Sequence, residues 1–121
     1  MKLQNRTDVY KLGLEIERIV FLGDPHGDLE ALKRVLHIES APNTVFVSVG
    51  DNIGYKSAEL CSQLVELLKE NNIPSVWGNH EHWSRDDGTL FMMRDPEGSK
   101  VLTASAVEFC KSLPRKIKIE S

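Results

Sequence analysis

The chain has 121 residues and a formal net charge of -3, so it fits one modest domain over 1–121 and lacks the basic surface typical of nucleic-acid-binding proteins. Its apolar fraction of 40% and charged fraction of 27% are ordinary for a globular protein. The stretch 1–16 has no apolar run of signal-peptide length, and nothing approaches a membrane span, so we expect a cytoplasmic protein.

Apolar runs and helical spacings alternate along the chain in the order β-α-β-α-β-loop-α-β. The predicted strands cover residues 18–23, 44–49, 73–77 and 116–120. The predicted helices run from an Asp28 cap through about 39, from a Ser57 cap to about 71, and over about 99–112. Residues 81–98 are predicted to be irregular. Nearly continuous apolar strands separated by amphipathic helices indicate an α/β fold with a mostly parallel sheet and flanking helices.

The two cysteines, Cys61 and Cys110, both fall on the apolar stripes of predicted helices. A free cysteine in such a position behaves as a small buried hydrophobe. We therefore expect two buried free thiols, because two cysteines so placed do not resemble a disulfide framework or a zinc ribbon.

Three predicted strands end in glycine followed by polar residues, and parallel strands bring such ends to one edge of the sheet, where ligands bind. The three segments are Gly23-Asp24-Pro25-His26-Gly27-Asp28, Gly50-Asp51-Asn52 and Gly78-Asn79-His80-Glu81-His82. Their carboxylate, imidazole and amide groups suit Mn, Fe or Zn, and they include no thiolate. Asp24 and His26 can share one ion, Asp51 can bridge two, and Asn79 can offer an amide oxygen. Two ions ~3.5–4 Å apart can clamp a phosphate.

The motifs GDPHGD, GDNIG and GNHE, each after a strand and in this order, resemble those of the calcineurin-like metallophosphoesterase superfamily. The resemblance covers residues 18–82 well and extends more loosely to 120. It implies that the fold corresponds to the N-terminal half of the four-layer metallophosphoesterase sandwich.

The resemblance also implies a role for each matching residue. Asp24 and His26 match ligands of a first metal ion, Asp51 matches the bridging ligand, and Asn79 matches a ligand of a second ion. His80 matches the histidine that contacts the phosphate and acts as general acid. The implied cofactors are two divalent ions (Mn, Fe or Zn), or one retained ion. The implied reaction is hydrolysis of a phosphomonoester or phosphodiester by a metal-activated hydroxide.

Two features depart from the family pattern. Protein phosphatases of the superfamily continue the second motif as Asp-Arg-Gly, whereas the matching positions here are Gly54, Tyr55 and Lys56. This difference argues against a typical Ser/Thr protein phosphatase and resembles a branch with Gly-Tyr-Gly-Pro and varied substrates. The family's later His-Gly and Gly-His-x-His segments have no counterpart, because no histidine follows His82. We therefore expect an apparently truncated domain.

Ordinary structural roles compete with some of these assignments. Asp and Asn are common helix caps and turn formers, but three motifs together favour a site. His82 is either a substitute metal ligand or a substrate contact, as Asn79 could also be, or it is a loop residue near the site. Glu81 is expected to cap or orient the loop. Trp77 is expected in the core, and His37 is expected to be structural. Trp83 either lines the entrance to a substrate-binding site or has no role there.

Three functions stay open at this point. The chain could be a phosphoesterase acting on a phosphorylated small molecule or phosphodiester, completed by a homodimer partner or a complementing C-terminal half chain. It could be a non-catalytic half-domain for binding or assembly, with the alternating strand 116–119 as a pairing edge. It could also be a truncated product. Manganese-dependent turnover that requires Asp51 would favour the first.

Overall fold

The chain folds into a mixed α/β structure with parallel strands and flanking helices, which confirms the predicted class. A computed structural model describes residues 5–90 and 100–121. Its elements are β1 (Thr7–Lys11), β2 (Arg18–Leu22), α1 (Leu29–Glu39), β3 (Thr44–Ser48), α2 (Ala58–Glu70), α3 (Asn79–Trp83), α4 (Ala104–Ser112) and β4 (Lys116–Glu120).

Strands β2 and β3 pair in parallel, from Arg18 opposite Thr44 to Leu22 opposite Ser48. Helix α1 connects them, as a parallel pair requires. The helix begins where predicted, because the Asp28 side chain accepts a hydrogen bond from the Ala31 amide at 3.1 Å. This β-α-β unit places the carboxyl ends of both strands, and the motif that follows each, side by side.

The predicted third strand at 73–77 is wrong in its extent. Only Ser75 forms a bridge, to Ser48 in the parallel sense. Pro74 lacks an N–H, and its carbonyl accepts from the Ser48 amide at 2.9 Å. The Val76 amide still donates to Ser48 O at 3.3 Å. The amides that could continue the ladder donate to side chains instead, Gly50 to Ser48 Oγ at 3.3 Å and Gly78 to Glu81 Oε1 at 2.7 Å. The short bridge still brings the third motif to the same sheet edge.

A second pair of parallel strands joins the two ends of the described chain. Strand β4 lies where the alternating lysines predicted it, and it pairs with β1 from Thr7 opposite Lys116 to Lys11 opposite Glu120. Strand β1 was not predicted, because its five residues alternate between exposed and half-buried positions and only one of them is aliphatic. Its pairing partner lies more than a hundred residues away in sequence, so local pattern gives little warning.

Helices α2 and α4 pack together and bury the core. Ser57 caps α2 at the Leu60 amide, as predicted, whereas α4 begins later than predicted because Thr103 caps it at the Ala106 amide. The first predicted residue of that helix, Ser99, lies outside the described residues. One buried cluster joins α2 to α4 and consists of Ile53, Ala58, Cys61, Val65, Leu90, Leu102 and Ala106. The other joins α2 to α1 and β2 and consists of Leu22, Leu29, Leu32, Leu64, Leu68 and Ile73.

The expectation of two buried free thiols is confirmed. Cys61 is 0% exposed and Cys110 is 1% exposed, and both are free. Burial raises the pKa of each thiol, which keeps both in the uncharged form at neutral pH. No helix within residues 5–90 and 100–121 has the length and apolar character needed to cross a membrane.

Candidate metal centre

Two loops leave the sheet with a backbone conformation that few side chains adopt. The first motif loop (residues 23–28) follows β2, and the second motif loop (residues 50–54) follows β3. Asp24, His26 and Asp51 have φ angles of 47°, 45° and 53°, in the left-handed region. Such residues cost of order 1–3 kcal/mol each and cluster at functional sites. The His26 amide donates to the Asp51 carbonyl at 2.9 Å, which helps to hold both residues in place.

The same three residues form the candidate metal centre. Their ligand atoms, one from each of Asp24, His26 and Asp51, lie within 4.8 Å of one another. Asp24 is exposed, and His26 and Asp51 are half-buried. Two carboxylates and one imidazole are a donor set that suits a hard or borderline divalent cation. The sequence prediction that these residues converge is therefore met in the structure.

The imidazole of His26 is oriented by a backbone carbonyl. Its Nδ1 lies 3.2 Å from the Ile53 oxygen. A carbonyl oxygen only accepts, so Nδ1 carries the proton and Nε2 keeps the lone pair that a metal ion needs. This is the outer-shell arrangement that metal-binding histidines almost always have. The residues present therefore fit a divalent cation at this position.

The third motif loop (residues 78–82) lies against Asp51. The His80 amide donates to Asp51 Oδ1 at 2.8 Å, and Asn79, at the start of α3, is exposed beside it. A Cβ atom at Gly78 would collide with the Asp51 carboxylate, so only glycine allows this approach. Asn79 and His80 are thus placed at the edge of the cluster.

The ring of His80 lies inside a cluster of aromatic rings. Its centroid is 4.5 Å from that of His26, 5.0 Å from that of Tyr55 and 4.8 Å from that of Trp83. His80 is only 5% exposed. Burial lowers the pKa of His80, the nearby His26 lowers it further, and the two aspartates oppose this. The ring is accordingly neutral at pH 7 before any phosphate binds.

A family model for calcineurin-like phosphoesterases matches residues 17–118 of the chain. The chain belongs to this family. No match is found among curated proteins, and none among solved structures. The matched range includes all three motif loops, so membership confirms the resemblance carried by GDPHGD, GDNIG and GNHE. Members of this family typically bind divalent metal ions, in agreement with the group of Asp24, His26 and Asp51.

The departure from the phosphatase pattern at Gly54, Tyr55 and Lys56 has a structural consequence. Gly54 has φ +107°, and a Cβ atom there would collide with Nδ1 of His80. Tyr55 has φ 63°, and its ring meets that of His26 edge-on at 4.8 Å. Gly54 and Tyr55 therefore shape the wall around His80. Sequence reasoning noted the run but did not place the Tyr55 ring at the site.

Glu81 lies beneath the cluster and is fully buried. Its Oε1 accepts from the amides of Asp51 at 2.8 Å and Gly78 at 2.7 Å, and its Oε2 accepts from Asn52 at 3.0 Å. Burial raises the pKa of Glu81 to about 7, although the three N–H donors favour its ionised form. The expectation that Glu81 caps or orients the loop agrees with these contacts.

A second buried group supports the same loop. Asn52 is 0% exposed, and it accepts a hydrogen bond from Ser48 Oγ at 2.5 Å and donates one to Ser75 Oγ at 3.0 Å. These contacts link the end of β3 to the segment that leads into the third motif. Sequence reasoning treated Asn52 as part of a motif only. Its neighbours in space, Ser48 and Ser75, gave no signal of their own.

The remaining residues considered from sequence lie at varied distances from the cluster. His82 is exposed, and its ring stacks on that of Trp77 with centroids 6.0 Å apart. Because residues two apart in a helix point to different sides, His82 does not lie on the same face of α3 as His80. Its role as a substrate contact stays a prediction. Trp77 is half-buried, and His37 is exposed on α1. Trp83 is 43% exposed and contacts His80, so its ring is available at the site's rim.

Proposed function

We propose that this chain is a metal-dependent phosphoesterase that hydrolyses a phosphomonoester or phosphodiester. The observation that carries the proposal is the convergence of Asp24, His26 and Asp51 within 4.8 Å in a chain of this family. Nothing in the composition competes with it, since the net charge of -3 suits neither a nucleic-acid surface nor an anionic membrane.

The motif residues would share the binding of two divalent ions. Asp24 and His26, the latter through Nε2, would hold one ion, and Asp51 would be a ligand of both. Asn79, at the start of α3, would offer its amide oxygen to the second ion. Divalent ions bound there would place positive charge beside the phosphoryl oxygens and make an attacking water more acidic.

His80 is the general acid in this proposal. Its backbone is fixed by the hydrogen bond from its amide to Asp51 Oδ1 at 2.8 Å, so its ring is held near the metal ligands without being one of them. Before substrate binds, burial keeps the pKa of this imidazole low. A phosphate group beside the ring favours the charged form, so the ring takes up a proton from solvent when substrate binds and can donate it to the leaving oxygen.

The substrate is proposed to be a phosphorylated small molecule or a phosphodiester, with Asn79 and His82 as candidate contacts. The metal is proposed to be Mn, Fe or Zn, which matches the mixed oxygen and nitrogen donors. Further ligands to the second ion are proposed to come from another polypeptide, either a second copy or a complementing chain.

The test combines metal content with turnover. The purified chain is loaded with Mn²⁺, bound metal per chain is measured, and hydrolysis of an aryl phosphate and a bis-aryl phosphodiester is followed. Asp51→Asn removes one charge from the centre and should lower kcat/KM by at least about 100-fold. Asp8→Asn is the matched control, because Asp8 is a half-buried residue of β1 that lies outside the motif loops and pairs with Arg6.

Three outcomes of this experiment lead to different conclusions. Binding of about two ions per chain with turnover that requires Asp51 supports a complete centre. Turnover that persists unchanged in Asp51→Asn would mean that the activity comes from elsewhere, and the proposal would be abandoned. One weakly held ion and no turnover would leave the chain as a binding or assembly module.

A further inference from the structure

Glu81 is the charged residue most completely buried beneath the site, and no metal-binding role accounts for it. It is 0% exposed, whereas Asp24 and Asp51, which carry the ligand oxygens, are exposed and half-buried. Placing a carboxylate in such a position is costly unless strong hydrogen bonds compensate. Three backbone amides supply them here. The cost of burying this side chain is therefore offset by its contacts with the motif loops.

The three amides belong to two different motif loops. Asp51 and Asn52 lie in the second motif loop, and Gly78 lies directly before α3 in the third. The Oε1 atom joins the two loops by itself, since it accepts from Asp51 at 2.8 Å and from Gly78 at 2.7 Å. One side chain thus fixes the separation between the bridging aspartate and the helix that carries Asn79 and His80.

The contact with Asp51 also stabilises a backbone conformation that is otherwise unfavourable. Asp51 has φ 53°, which an aspartate adopts only when its surroundings require it. The Glu81 carboxylate accepts a hydrogen bond from the Asp51 amide, and the Asp51 carbonyl accepts one from the His26 amide at 2.9 Å. The backbone of Asp51 is thereby fixed from both sides, and its carboxylate is left to face Asp24 and His26.

We propose that Glu81 is the positioning residue of the metal centre. Its buried carboxylate sets the affinity for divalent cations by holding Asp51 and helix α3 in the geometry that brings Asp51, Asn79 and His80 together. The inference rests on the proposed function, but what it states physically is that Glu81 determines the cation affinity and the order of the motif loops.

The side-chain chemistry explains why glutamate is needed. A glutamine in the same place keeps one acceptor oxygen but directs an NH₂ group at the Asn52 or Asp51 amide, which sets donor against donor. An aspartate keeps the charge but is shorter by one methylene, so it cannot reach amides on both loops at once. Both changes should therefore loosen the same contacts by different means.

The experiment is a Mn²⁺ titration by calorimetry at pH 8 on folded Glu81→Gln and Glu81→Asp proteins. Residues that orient metal ligands typically contribute 10–100-fold in affinity, so we expect a loss of about that size. Glu108→Gln is the matched control, because Glu108 is 73% exposed on α4 and pairs with Lys111. We expect it to bind Mn²⁺ as the unsubstituted chain does.

A second control separates positioning from stability. Leu68 is fully buried in the cluster that joins α2 to α1 and β2, whose buried residues all lie outside the motif loops, so Leu68→Ala lowers the melting temperature without altering the surroundings of one. We expect Leu68→Ala to keep its Mn²⁺ affinity even where its melting temperature is as low as that of Glu81→Gln. Equal losses of affinity in both variants would show that Glu81 acts through stability alone and would overturn the inference.

Amide hydrogen exchange, measured without metal, tests the same contacts directly. We expect the amides of Asp51, Asn52 and Gly78 to be protected from hydrogen exchange in the unsubstituted chain and to lose that protection selectively in Glu81→Gln. Fast exchange of these amides in the unsubstituted chain would overturn the inference even if no Glu81 variant folds. Failure of the proposed function looks different, since turnover would then be absent while the affinity and exchange effects of Glu81 remain.

Discussion

Burial of Glu81 couples the stability of the fold to pH. The pKa of Glu81 is raised from the ordinary 4.5 to about 7, chiefly by burial. Between these two values the folded chain holds a proton that the unfolded chain has released. The stabilising contribution is therefore fully present below about pH 4.5 and is lost as the pH rises through about 7.

The size of the effect follows from the difference between the two values, about 2.5 pH units, and each unit corresponds to 1.36 kcal/mol. The free energy of unfolding should thus fall by about 3 kcal/mol on this account between pH 4.5 and pH 8. His80 contributes with the opposite sign, because its pKa is lowered and its contribution is gained as the pH rises through 6.5. The two effects must be separated experimentally.

The assay is urea unfolding in EDTA at a series of pH values, on the unsubstituted chain and on Glu81→Gln. The variant cannot titrate at position 81 but keeps His80, so the difference between the two curves isolates Glu81. We expect this difference to change by about 3 kcal/mol from pH 4.5 to pH 8. Leu68→Ala should shift the curve without changing its slope. Parallel curves for Glu81→Gln and the unsubstituted chain would refute the reasoning.

Two further predictions concern the walls and support of the site. Gly54 has φ +107°, and Gly54→Ala places a Cβ atom against His80 Nδ1, so it should lower the free energy of unfolding in urea by about 1–3 kcal/mol or more. Gly23 has open space around it, so Gly23→Ala should leave stability nearly unchanged. Asn52→Ala removes the hydrogen-bond partner of Ser48 and Ser75 and should lower the free energy of unfolding by about 1–3 kcal/mol. Gln63→Ala, on the exposed face of α2, should change it little, and equal effects of the two substitutions would contradict a role for the buried hydrogen bonds.

The parts of the fold that sequence predicts well are those that local chemistry decides. Asp28 and Ser57 each accept from an amide three residues on, so the starts of α1 and α2 are found correctly from the cap residue. The apolar runs of β2 and β3 are likewise found, because both strands contribute to buried clusters. In each case the residue and its partner lie within one turn or one strand.

The parts that sequence does not predict depend on distant partners. Strand β1 forms only because β4, more than a hundred residues away in sequence, lies beside it. The site shows the same division. Asp24, His26 and Asp51 follow from local motifs, whereas the place of Tyr55 beside His26 and His80 depends on which loops meet in space. No periodicity in the sequence carries that information.

The structure also explains why the ligand loops need support from below. Asp24 and Asp51 are like charges whose oxygens lie within 4.8 Å of a common histidine and of each other, so before a cation binds they repel. Left-handed backbone at Asp24, His26 and Asp51 adds a further cost. A loop free to relax would separate the aspartates. The amides that Glu81 accepts from, and the buried Asn52 contacts, oppose that relaxation, so the fold holds the arrangement that a cation then stabilises.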